Sequence, residues 1–116
     1  MVSELLAETN ILTMISQILQ QQDNSHSLVR YLKLEATWIL TNICFGDENA
    51  ILQVFADQYG FVAHINSILN SSDLHMIDQV YFLINNIMCT SSEMLVMAYR
   101  KFKLAETIIN NMNLML

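Results

Sequence analysis

The sequence predicts an all-α fold of repeated helices, and three observations carry that prediction. The chain of 116 residues has no proline and only two glycines, Gly46 and Gly60. That is little punctuation for a fold of strands and tight turns. Its apolar residues recur at helical spacing. Two stretches of its first half also return in the second half with the same order of polar and apolar positions.

In chain order, a short helix is expected over about 3–8, then longer ones over about 11–21 and 28–44. Further helices follow over about 48–57, 61–70, 74–89 and 92–101, with a last at about 104–114. Ile11, Leu12, Ile15, Ile18 and Leu19 fall on one amphipathic face, and Phe61, Val62, Ile65, Ile68 and Leu69 repeat that face. Breaks are expected at Asp23-Asn24-Ser25, Gly46-Asp47, Gly60, Ser71-Ser72-Asp73 and Thr90-Ser91-Ser92. Asp73 and Ser91 can cap helices by accepting from free amides. Gly60 can take the left-handed backbone that ends one helix and starts the next.

The repeat is visible residue by residue. Ile11 to Leu19 aligns with Phe61 to Leu69, and Glu35 to Ile43 aligns with Gln79 to Ile87. The offsets, about 50 and about 44 residues, differ because the polar stretch Gln20 to Arg30 is longer than its counterpart. Helices repeating with a period in the forties predict an α-solenoid of armadillo or HEAT type, not the 34-residue tetratricopeptide period. The expected division is one domain over 1–116, about two and a half three-helix units. Residues 1–46 form a partial unit, 47–90 a complete one and 91–116 a partial one.

Composition removes several classes of function. Hydrophobic residues make up 53% and charged ones 14%, too apolar for a disordered chain. No apolar run approaches the ~18 residues of a membrane span. The start, Met1-Val2-Ser3-Glu4, lacks the basic character of a secretory signal, so an intracellular protein is expected. A net charge of −6 with only five Lys and Arg argues against nucleic acid. Cys44 and Cys89 are too few for a disulfide framework and read as reduced, buried thiols. His26, His64 and His75 are scattered, with no metal-ligand spacing and no catalytic pairing in view. Asp47, Glu48 and Asp57 read as solvated charges at helix ends. Neither a cofactor nor a catalytic role is expected.

The long third helices hold the candidate site. At about 100° per residue, Ala36, Leu40 and Ile43 share a core sector of roughly 60°. Glu35, Trp38 and Asn42 share another about 100° away. In the second unit Val80, Ile84 and Ile87 take the core sector, and Gln79, Phe82 and Asn86 take the other. The same order, polar then aromatic then Asn, appears on both helices. Third helices of a solenoid stack side by side, so the two sets become neighbouring rungs. Asn can pair with both the C=O and the N–H of an extended guest backbone. Aromatic rings between rungs make slots for the stem of Lys or Arg, with a cation–π contribution of ~0.5–2 kcal/mol.

These residues carry a family resemblance. Leu34-Glu35-Ala36-Thr37-Trp38-Ile39-Leu40-Thr41-Asn42-Ile43, followed by Gly46, resembles the third armadillo helix of importin-α, whose hallmark is Trp-x-x-x-Asn. Gln79 to Ile87 resembles the next rung, with Phe82 in place of Trp. The resemblance spans most of residues 10–102. It implies a right-handed superhelix whose groove binds the backbone of lysine-rich nuclear localisation signals. It also implies groove roles for Trp38, Asn42, Phe82, Asn86 and Gln79, and a place in cytoplasm and nucleus.

The departures are specific. The family carries roughly ten repeats and a basic N-terminal segment, neither of which is seen here. Its members place an acid four residues after the second rung's Asn, where this chain has Thr90. A groove with weakened selection for Lys/Arg-rich peptides is the expectation. The alternative is a scaffolding subunit that docks in a larger assembly without cargo. Apolar ends, with Leu5, Leu6, Ile11 and Met14 at one and Leu104, Ile108, Ile109 and Met112 at the other, predict self-association or docking.

Overall fold

A computed structural model describes residues 2–21 and 27–102. Seven α-helices lie among them, with one short 3-10 turn and no strand. α1 spans Val2–Glu8, α2 Ile11–Leu19, α3 Ser27–Ile43 and α4 Glu48–Val54. α5 spans Phe61–Leu69, α6 Leu74–Met88 and α7 Ser92–Lys101. The fold is all-α. The helix expected near 104–114, with the apolar end it carries, lies outside the described residues. So do the turn Asp23-Asn24-Ser25 and His26.

Polar caps set the helix starts. Asp73 Oδ1 accepts from the Met76 amide at 3.2 Å, and Ser91 Oγ accepts from the Met94 amide at 3.1 Å. Asp47 is a third cap, accepting from the Ala50 amide at 3.1 Å. Each occupies an amide that the first helical turn leaves unbonded. The fourth helix is shorter than the sequence suggests. It ends at Val54, and Asp57–Tyr59 forms a separate 3-10 turn. Between them Ala56 is extended, at φ −63° and ψ 144°. That break turns Phe55 edge-on to Phe102 at 5.3 Å and stacks Tyr59 on Phe61 at 5.8 Å. Gly60 then takes φ 69°, a left-handed backbone that suits glycine, and α5 begins at once.

The core runs through α4, α5 and α6, where Ile51, Val54, Phe61, Val80, Leu83 and Ile87 are buried almost completely. Val80, Ile84 and Ile87 are buried as the helical wheel predicts. The expectation for α3 needs correction. Ala36 and Leu40 are buried, but Ile43 is only half-buried. The buried strip runs instead through Lys33, Thr37, Thr41 and Cys44. α3 contacts α2, α4 and α6, so more than one narrow sector is covered. The threonines tolerate burial because their hydroxyls donate to carbonyls one turn back, Thr37 to Lys33 at 2.8 Å and Thr41 to Thr37 at 2.9 Å.

α3 and α6 form the most extensive helix pair. Near their starts, Arg30 Nη2 and Nε reach the two Asp73 carboxylate oxygens at 3.1 and 3.3 Å. Near their ends, Asn86 Nδ2 donates to the Thr41 carbonyl at 2.9 Å. Two ties in the same order make the helices parallel. α1 lies against α4, where Gln53 Nε2 donates to the Ser3 carbonyl at 3.0 Å. α2 and α5 touch only sparingly, and a cleft of about 760 Å³ lies between them, α3 and the start of α6.

Candidate functional site

The residues singled out in the sequence come together on one surface. On α3, Tyr31, Glu35, Trp38 and Asn42 follow at steps of three and four, which keeps them within a sector of roughly 60°, and Phe45 comes at the next such step just past the end of the helix. All five are exposed, Trp38 at 48% and Phe45 at 75%. On α6, His75, Gln79, Phe82 and Asn86 follow the same steps, and Cys89 continues them at the C-cap. Phe82 is 57% exposed, while Gln79 and Asn86 are half-buried. Because α3 and α6 are parallel neighbours, the two stripes lie side by side.

Trp38 and Phe82 are therefore surface aromatics and not core. The apolar sector behind each is already filled, by Leu40 on α3 and by Val80 and Leu83 on α6. Their exposure costs the fold hydrophobic stabilisation, which makes an exposed aromatic pair an informative feature.

The two asparagines differ. Asn42 is exposed, and its Nδ2 donates to the Trp38 carbonyl at 3.2 Å within its own helix. Asn86 reaches across to α3, so one of its two amide hydrogens is committed to the seam. Each keeps a second N–H and a carbonyl oxygen. Thr90, where the resemblance leads one to look for an acid, is half-buried and donates its hydroxyl to the Asn86 carbonyl at 2.8 Å. Glu35 supplies a carboxylate on the α3 stripe, and neither stripe contains Lys or Arg.

The helical wheel missed Tyr31 and Phe45, which extend the α3 stripe one step beyond Glu35 and Asn42. The signal was present, since both stand seven residues from Trp38. The match between the two halves covers only Glu35 to Ile43 on this helix and leaves both residues outside it.

The cysteines separate. Both are free. Cys44 is fully buried, and that burial pushes its thiol up to about 12. Cys89 is exposed, against the expectation of two buried thiols, because it caps the end of α6 on the Phe82 face. His64 is half-buried; burial, and then the charge of Lys33, push its pKa down to about 4. No group of three or more His, Cys, Asp or Glu among the described residues could hold a metal. No described helix is long and apolar enough to cross a membrane. No protein-family model, curated protein or solved structure matches the chain.

Proposed function

We propose that this chain is part of an armadillo-type solenoid that binds an extended peptide across α3 and α6, as an adaptor of the importin-α kind. The observation that carries the reading is the pair of exposed stripes on parallel helices, each placing an aromatic ring four residues before an Asn. Asn42 offers the guest backbone a donor and an acceptor with only an exposed intrahelical bond to release. Trp38 and Phe82 offer faces to the methylene stems of Lys or Arg. Glu35 and the absence of basic residues from both stripes favour a cationic guest. Such an adaptor works by binding alone, in cytoplasm and nucleus, without enzyme chemistry.

The test is fluorescence anisotropy with a labelled Lys/Arg-rich peptide. Trp38→Ala and Asn42→Ala should each weaken binding, with Trp38→Ala the larger loss. Unchanged affinity in both variants would remove the groove from consideration.

A second reading, a scaffolding subunit without cargo, is favoured by apolar side chains away from the stripes. Leu5 and Met14 are exposed near the start, and Leu95, Val96 and Tyr99 are exposed on α7. Helices at the ends of a repeat stack need a cover. Sedimentation separates the readings: a non-associating monomer at micromolar concentration argues for the adaptor, and self-association independent of peptide argues for the scaffold.

A further inference from the structure

We propose that the cleft bounded by α2, α3, α5 and α6 binds a small molecule carrying a phosphate or carboxylate group. The cleft, about 760 Å³, falls within the range of ordinary ligand pockets. It exists because the stack closes at α3–α6 and at α1–α4 but not at α2–α5. It is a different surface from the aromatic stripes, since Arg30 and Lys33 leave α3 roughly 80° and 140° around the helix from Trp38.

The lining gives it a sign. The chain has five Lys and Arg against eleven Asp and Glu. Even so, both Arg30 and Lys33 line this cleft, with Asp73 as the single carboxylate among the described residues that line it. Lys33 is almost fully buried, and its ammonium donates to the Gln21 carbonyl at the end of α2. Arg30 presents Nε and Nη2 to Asp73 and keeps Nη1 for another acceptor. Ser67 and His64 add neutral polar groups from α5. His64 Nε2 is buried and has no hydrogen-bond partner among the described residues. A buried polar atom left unmatched calls for an explanation. An oxyanion seated against the imidazole ring supplies the missing acceptor, and it meets two cations in a chain whose net charge is −6.

The experiment follows the imidazole resonances of His64 and His75 by NMR while inorganic phosphate, and separately citrate, is added at constant ionic strength. The expected result is a saturable shift at His64, with its pKa raised by the bound anion, and no such shift at His75 on the exposed face of α6. Phosphate and citrate arms tell which oxyanion is preferred. Arg30→Gln should weaken binding about tenfold by removing one charge-assisted contact. Ser67→Leu, which fills the cleft without altering charge, should abolish the shift while circular dichroism shows an intact fold. No saturation by either anion up to about 10 mM overturns the proposal. So do equal shifts at His64 and His75, or unaltered binding in Ser67→Leu.

Discussion

α3 and α6 are tied near both ends, whereas α2 and α5 stand apart around a cleft, although both pairs come from stretches of sequence that resemble one another. The difference lies in what crosses the gap. Between α3 and α6, an ion pair and an amide-to-carbonyl bond fix the register, and Leu83 and Ile87 of α6 are wholly buried. α2 instead sends Ser16 Oγ to the Tyr59 carbonyl of the 3-10 turn, at 2.8 Å, and not to α5 itself. Similar apolar faces are thus insufficient to close a pair of helices. The tied pair α3–α6 closes, and the pair α2–α5, which no such tie joins among the described residues, leaves room for chemistry.

Breaking the closed seam should have the largest effect. Leu83→Ala should destabilise the fold by about 2–5 kcal/mol, read as a lower denaturation midpoint. Ile68→Ala, on the cleft wall, should cost less, because the vacated space joins an existing opening.

Acid should weaken the open side next. The pKa of His64 is lowered in the fold, to about 4, so the unfolded chain takes up its proton first. The stability that the neutral ring contributes is complete above the ordinary value near 6.5 and falls as pH drops from there toward 4. The loss should reach about 1–3 kcal/mol, allowing for partial exposure. Denaturation between pH 7 and 4 measures it, and His64→Gln should flatten the curve. Asp73 acts in a lower window. Its hydrogen bond to Arg30 holds its carboxyl below the usual range, so its contribution survives until the pH falls below the ordinary carboxylate value.

The two asparagines should then part company. Asn86→Ala removes the tie to Thr41 and should cost about 1 kcal/mol. Asn42→Ala removes only an exposed intrahelical bond and improves helix propensity, so stability should hold or rise by a few tenths of a kcal/mol. Thermal melts of both variants check the opposite signs. The smallest effect belongs to Arg30 and Asp73, half-exposed at 41% and 36%, whose coupling in a double-mutant cycle should be about 0.2–1 kcal/mol.

Much of the helical content was legible because periodicity and punctuation are local properties. Six of the seven described helices lie within about two residues of their expected ends, and only α4 falls short by more. Asp73, Ser91 and Gly60 could be placed because caps and left-handed turns depend on one side chain and its neighbours. The exposed sectors of Trp38 and Phe82 were legible because two helices repeated them. What stayed hidden depends on neighbours in space. Nothing local marks Thr37, Thr41 and Lys33 as buried, since only the closing of α2 and α6 around α3 buries them. Nor could periodicity show that Asn86 turns to α3, or that α2 and α5 would leave an opening lined by Arg30 and His64.

The separation of the cysteines gives the molecule a reporter of its own. Cys89 stands seven residues beyond Phe82 on the same exposed stripe, while Cys44 is shut away and its thiol is far from ionising at neutral pH. A maleimide dye should therefore modify one sulfur per chain without any engineering. Attached there, it sits at the margin of the proposed peptide track, where an arriving guest would alter its emission.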